Sequence, residues 1–313
     1  MLRLTAQRIL LAVPTLFVVA TLTFFMLQLV PGDPANFLLG EGSTIEEVQQ
    51  IHHQLGLDKP VMTQYVDWLS NILHGQLGTS FITHQAVTGA LQVAVPATLS
   101  LAVLGTLAAV TLGLIFGTLA GLRGGVVDRM AQAAASLGLG IPNFWLAVVL
   151  VYAFALRLSV FPATGYTPFS NSASVWILGL VLPVAAISVN NMAQVILQAR
   201  SSTLEVLSSD FVRTLQAVGL SRRRIILKHV LRNAAIPIVT VTGFIFVVSL
   251  GGVVVIETIF NIQGVGNTFL AAVHQHDLPV VQGAILYFTL AVVAVNLLVD
   301  IAVAWIDPRV RYR

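Results

Sequence analysis

From Gln85 to Leu122 no side chain is ionised at neutral pH. A helix crosses the hydrocarbon of a bilayer with about 20 residues, so this stretch is a membrane span with room to spare. Charge-free runs recur at Ile9–Val30, Met130–Leu156, Leu158–Ala199, Asn233–Ile256 and Leu278–Val299. Of the 313 residues 57% are hydrophobic and 9% charged, where a soluble domain carries about 25% charged residues. The membrane is therefore the solvent of this chain. With no cysteine, a disulfide scaffold and a cysteine-ligated metal are excluded.

Six spans are expected. The second begins near Val93. The fourth is narrowed to about Val175–Gln198, because FPATGYTPFSNS before it is rich in turn formers. With the N-terminus inside, Arg3, Arg8, the Arg123–Arg129 loop, the Arg200–Arg232 loop and the C-terminal tail are all cytoplasmic, and 14 of 16 Lys and Arg residues lie inside. Lys59 and Arg157 fall outside. The first span is read as a retained helix, since its apolar run exceeds a signal h-region and no A-x-A site precedes Pro31. The organisation expected is 1–30 (N-terminus and first span), 31–91 (an extracytoplasmic segment) and 92–313 (a five-helix core).

The outer segment opens on Pro31-Gly32-Asp33-Pro34 and carries six acids and one lysine. Helices are expected over Thr44–Leu55, capped by Ser43 or Thr44, and over Val61–Leu73. His52, His53, His74 and His84 have no i,i+4 pair, so solvated or locally bonded histidine is preferred to a metal site.

Gly113, Gly117 and Gly121 form successive small-xxx-small steps, which either admit a close helix neighbour or reflect the ordinary tolerance of membrane helices for glycine. Asn190, Asn191 and Gln194 in the fourth span must face protein or a water-filled path; helix–helix bonding and path lining are both open. Glu257 and Asp300 sit at span ends, and the span centres lack acids and bases. That speaks against a self-powered secondary carrier. No P-loop, His-Glu-x-x-His or Gly-x-Ser-x-Gly is present, which speaks against an ATPase or an intramembrane enzyme.

The stretch Glu205–Pro237 is polar and ordered. Leu207, Phe211, Leu215 and Val218 form a helical stripe. Gly219 suits a C′ position with positive φ, and Ser221 can cap a second helix. On that helix Arg224, Lys228 and Arg232 share one face, and Pro237 opens the fifth span. A basic anchor at the membrane surface explains the arginines. It leaves the apolar stripe in need of a surface, in this chain or in a cytoplasmic partner.

This stretch resembles the EAA loop of bacterial ABC-importer permeases, with Arg213-Thr214-Leu215 in the E-A-A place, Gly219 as the glycine and His229–Arg232 where I-x-L-P stands. Of the general pattern only Gly219 and Leu231 match. The whole chain is more closely similar to the B-type permease subunits of dipeptide/oligopeptide importers, a group that includes nickel and glutathione permeases. The resemblance is carried by Pro31–Pro34, Leu77-Gly78-Thr79-Ser80, Arg200-Ser201-Ser202, Leu204–Leu207, Asp210–Thr214, Gly219-Leu220, His229–Ala234, Glu257–Asn261, Asp277–Gly283 and Asp307–Tyr312. Gln263 departs from the usual proline.

The resemblance implies an all-α membrane protein of six spans with both termini cytoplasmic, the type I ABC importer permease fold, in the bacterial inner membrane. It implies a non-enzymatic pore subunit without a cofactor, half of a path for short peptides, with nickel or glutathione as alternative cargo. The implied partners are a second permease, two ATPases that bind ATP and Mg, and an extracytoplasmic substrate-binding protein. The coupling loop, about 200–235, would meet one ATPase through Asp210, Phe211, Arg213, Thr214, Leu215 and Gly219.

Overall fold

The computed structural model describes residues 2–40 and 43–306. The motif at Asp307–Tyr312 lies outside the described residues. Helices dominate: α1 (Leu2–Gln28), α2 (Pro34–Leu39), α3 (Ile45–Leu55), α4 (Val61–Leu73), α5 (Val87–Arg123), α6 (Gly125–Gly140), α7 (Asn143–Leu150), α8 (Ala173–Ser208), α9 (Asp210–Ala217), α10 (Arg222–Arg224), α11 (Leu231–Ile259), α12 (Val265–His274) and α13 (Leu278–Ile306). Two π-wound stretches follow α7 (Val151–Arg157) and α10 (Ile225–Val230).

Among the described residues, five helices are long and apolar enough to cross a membrane by themselves. The third expected span is instead a pair, Gly125–Gly140 and Asn143–Arg157, bent by 95°. The break falls at Ile141-Pro142. Ile141 is extended (φ −92°, ψ 117°) because the ring of the following proline disfavours the helical conformation there. Two other boundaries move outward. Helix α5 starts at Val87, not near Val93, and α8 runs on to Ser208 beyond Gln198. Loss of hydrophobicity marks where hydrocarbon ends, but a helix stops only at a breaker. Pro237 does not open the fifth span; it lies inside α11. Its missing N–H gives up one hydrogen bond, which membrane helices tolerate.

The chain divides into two compact units, each gathering residues distant in sequence: one built on residues 99–262 with the cytoplasmic ends of α1 and α13, the other on residues 10–98 and 263–291.

In the first unit α8 is the central element. A Cβ on Gly113 would stand 2.5 Å from Val195, one on Gly117 2.5 Å from the Ile196 carbonyl oxygen, and one on Gly121 3.0 Å from Thr203. The glycine ridge thus admits a close neighbour, and the neighbour is α8. The contacts Gly105–Ile187, Gly113–Val195, Gly117–Ala199 and Gly121–Thr203 are each 82 residues apart. A constant offset means that α5 and α8 run in the same direction, as spans two and four must when the N-terminus is inside. Asn191, 2% exposed, donates to Ser249 Oγ at 2.7 Å and ties α8 to α11. Arg200 grips Asp128 with both nitrogens of its fork, joining α8 to α6.

In the second unit Phe24 and Phe25 of α1 stack with Tyr65 and Trp68 of α4. A core of Val87, Leu91, Ala94, Val265, Ala272, Val280, Val281 and Ala284 joins the starts of α5 and α13 to α12. The expected α3 and α4 are present. Thr44 caps α3 reciprocally with Glu47, whose carboxylate accepts the Thr44 backbone N–H at 2.8 Å; this bond holds the Glu47 carboxyl below the usual carboxylate range. The short α2 and α12 were not expected from sequence.

Gly117→Ala places a methyl group against the α8 backbone, where no side chain can move aside. It should cost about 1–3 kcal/mol, read as a lower Tm of the detergent-solubilised protein, whereas Gly89→Ala, which meets nothing within 4 Å, should leave Tm within a degree or so of wild type.

Candidate functional site

Three places in the structure carry the motifs singled out above. The first is the cytoplasmic elbow. Helix α8 ends at Ser208, and Ser209 is extended (φ −70°, ψ 149°), so the expected stripe is interrupted: Leu207 belongs to α8, and Phe211 begins a new face on α9. On α9 the buried residue is Val212, fully enclosed with Ile225 and Val230 and flanked by Val206, Leu207, Leu215 and Leu220. Leu215 is half-buried and packs against this cluster. Phe211 is 41% and Val218 72% exposed. Sequence reasoning missed Val212; its spacing of three from Leu215 was the available signal.

The elbow itself forms as expected at Gly219, whose φ is +85°. The Gly219 N–H donates to the Gln216 carbonyl at 2.9 Å and the Leu220 N–H to the Leu215 carbonyl at 3.2 Å. These are the two bonds of a Schellman closure, and Leu220 and Leu215 supply its apolar contact. Asp210 sits in the first turn of α9 and pairs with Arg213 at 3.3 Å, while the Thr214 hydroxyl donates to the Asp210 carbonyl at 3.0 Å. Ser221 occupies the N-cap position beyond the elbow, but its side chain makes no capping bond. The basic segment is α-helical only over Arg222–Arg224, then π-wound to Val230, and passes into α11. Arg224, Lys228 and Arg232 are all exposed.

The second place is an open pocket in the first unit, walled by Asn143, Phe144, Asn190, Gly252 and Val255. Asn190 Nδ2 lies 3.4 Å from the Gly138 and Leu139 carbonyls, and its Oδ1 accepts from Gln194 Nε2 at 3.2 Å. Asn190 thus satisfies carbonyls freed by the Ile141-Pro142 break and still borders open space. Asn191 points elsewhere, into its bond with Ser249. A Cβ on Gly252 would come 3.6 Å from Asn143 Nδ2. Asn143 and Gly252 were not foreseen as partners of Asn190, because only the bend brings them together.

The third place is in the second unit. Asp277, 3% exposed, accepts from Ser80 Oγ at 2.5 Å and from the Phe81 N–H at 3.0 Å. Two motifs far apart in the chain, Leu77–Ser80 and Asp277–Gly283, therefore form one clasp. Gly78 (φ +85°) lies 3.6 Å from Pro279 by its Cβ direction, and a Cβ on Gly283 would strike Val87 at 2.6 Å. Asp33 caps α2 through the Ala35 N–H at 2.9 Å and meets His52 Nε2 at 2.9 Å. His53 bonds Asp58 at 2.8 Å, which holds the Asp58 carboxyl below its usual range, and His74 bonds the Ser70 carbonyl at 2.7 Å. These three histidines are locally hydrogen-bonded. In the other unit Glu257 is fully buried in the last turn of α11, which closes at Asn261 (φ +48°) by a second Schellman pair: Ile262 N–H to Glu257 carbonyl, 2.8 Å, and Asn261 N–H to Thr258 carbonyl, 3.3 Å.

The sequence pattern described as "binding-protein-dependent transport system inner membrane component" matches residues 113–312, and the N-terminal pattern of the corresponding membrane component matches residues 1–102. The chain belongs to this family. It is a multi-pass permease of the bacterial inner membrane. Over 310 residues it is 40% identical to a putative peptide transport system permease of Brucella abortus (strain 2308), covering 99% of each chain. It is 36% identical over 314 residues to the glutathione transport system permease GsiC of Pectobacterium atrosepticum, covering all of both. It is 36% identical over 299 residues to the dipeptide transport system permease DppB of Bacillus subtilis, covering 95% and 94%. Among solved structures, an inward-facing form of the MetNI methionine ABC transporter aligns with a TM-score of 0.56 at 15% identity, over 70% of this permease and 97% of that chain. The common fold is that of ABC importer permeases.

Ser80→Ala removes one of two donors to a buried carboxylate and should cost the permease about 1–3 kcal/mol. The measurable signs are a lower Tm and faster proteolysis of the segment around Ser80; Ser70→Ala, at an exposed position, serves as control.

Proposed function

We propose that this permease forms one half of the translocation path of an ATP-driven importer for short peptides. A second permease supplies the other half, two cytoplasmic ATPases bind ATP and Mg, and an extracytoplasmic binding protein delivers cargo. The observation that carries the coupling role is the construction of α9. It is bonded into its own chain through Val212 and closed at Gly219, yet it leaves Phe211 and Val218 exposed at its surface. An apolar pair on a short braced helix suits a groove on a partner. Asp210, Phe211, Arg213, Thr214 and Gly219 are the residues we assign to the docking surface and its support, and Leu215 to its brace.

Peptides are preferred as cargo because relatives named for peptide, dipeptide and glutathione transport align with the whole chain, and glutathione is itself a tripeptide. The outer segment 31–91 is the region assigned to the binding protein. The path is assigned to the pocket beside Asn190, with Gln194 supporting its amide; neutral amides can exchange hydrogen bonds with peptide groups without trapping a charge. Asn191 is assigned a structural role, on its bond to Ser249.

The decisive experiment uses the reconstituted complex. A Cβ on Gly219 meets nothing within 4 Å, so the effect of Gly219→Val comes chiefly from backbone conformation, which β-branched residues resist at positive φ. The variant should assemble with its ATPases and lose most of the rise in hydrolysis caused by cargo-loaded binding protein; an unchanged rise overturns the coupling role. Asn190→Ala should lower peptide uptake severalfold with assembly unaffected, measured by labelled-peptide transport into proteoliposomes.

A further inference from the structure

The five cations of the elbow have no role in the docking of α9 as described. Arg222, Arg223, Arg224, Lys228 and Arg232 are all exposed. Among the described residues, the ion pairs of this unit are Arg8–Asp300, Asp128–Arg200 and Asp210–Arg213, and none includes any of the five. The helical segment Arg222–Ile259 is continuous over 38 residues, well beyond the roughly 20 that hydrocarbon requires. Its first turns therefore lie at the cytoplasmic boundary of the bilayer. There Leu227 is 57% exposed, directly beside Lys228. An exposed leucine among cations is the composition that settles at a membrane interface, with the apolar chain towards the acyl region and the cations extended to phosphates.

The same segment has a second face. Ile225 and Val230 are buried, and they enclose Val212 of α9. Whatever fixes the π-wound stretch Ile225–Val230 at the membrane surface also fixes α9. We propose that the elbow is an anionic-phospholipid site. Headgroup phosphates engage Arg222, Arg223, Arg224, Lys228 and Arg232, and their occupancy sets the pose in which α9 is offered to the ATPase. This rests on the coupling role proposed above. Phosphates complement uncompensated cations, and the anionic lipids of a cytoplasmic leaflet are concentrated where this segment lies.

The test uses the complete complex in nanodiscs of phosphatidylcholine alone or of an equal mixture with phosphatidylglycerol. The readout is ATP hydrolysis stimulated by cargo-loaded binding protein. Wild type should be about fivefold more active in the anionic discs, and the combined Arg222→Gln, Arg223→Gln, Arg224→Gln variant should be low and equal in both. Size-exclusion of that variant in detergent should still show bound ATPases. Equal wild-type activity in both lipids, or a variant that keeps the wild-type response, overturns the proposal. Loss of the ATPases from the variant in detergent also overturns it, and assigns the cations to an acidic face of the ATPase. A wild-type complex that shows no stimulation in any lipid would overturn the coupling reading itself.

Discussion

Close contact between α5 and α8 is the constraint on which the cytoplasmic half of this permease depends. In hydrocarbon, apolar side chains gain nothing by leaving lipid for each other, so helices associate through packing and hydrogen bonds. Gly113, Gly117 and Gly121 strip α5 of side chains along one edge, and the α8 backbone occupies that space at Met192, Ile196 and Arg200. Once α8 is fixed, its other faces are free to hold α6 through Gly138 and Asn190, and α11 through Asn191. Its cytoplasmic end is then steadied by Arg200 and Asp128. The elbow hangs from that end, so α9 inherits the position of the central helix of its unit.

Much of this order was legible in the chain. Span number and direction follow from charge-free runs and the distribution of arginine, because both report the solvent and not tertiary contacts. The glycine ridge was legible as a surface needing a neighbour, but not which neighbour. Gly219 was legible because positive φ at a helix end is nearly the property of one residue type. The bend at Ile141-Pro142 was misjudged for a physical reason: proline inside membrane helices is often accommodated, as Pro14, Pro96, Pro183 and Pro237 are here. Only the extended Ile141 before it distinguishes the break, and nothing in its side chain announces that.

Polar residues were read least well as partners. The amides Asn190 and Asn191 are adjacent in sequence and alike in chemistry, yet one is buried against Ser249 and the other borders a pocket. A helix turns about 100° between neighbours, so adjacent residues must differ, but which one faces the pocket depends on the bend in another helix. Ser80 and Asp277 are separated by 197 residues, and no local pattern couples them. Their clasp nonetheless accounts for two stretches that carry the family resemblance: a buried carboxylate demands donors, and the turn around Gly78 supplies a hydroxyl and a backbone N–H together.

The elbow can be understood as a division between rigid and adaptable parts. A helix of eight residues such as α9 is too short to be stable by itself. Three features compensate: a Schellman closure at one end, a fully buried Val212 in the middle, and a continuous helix into the membrane after it. None of these uses the exposed side chains of Phe211 or Val218, so both can vary without cost to the fold. The opposite holds at the basic turn. Its apolar residues Ile225 and Val230 are committed to the brace, and its cations are exposed and, among the described residues, in no ion pair. In the proposed coupling role, motion of α11 would reach α9 through this small apolar cluster, which is directional and hard to compress, and not through exposed ion pairs, which water and salt would weaken.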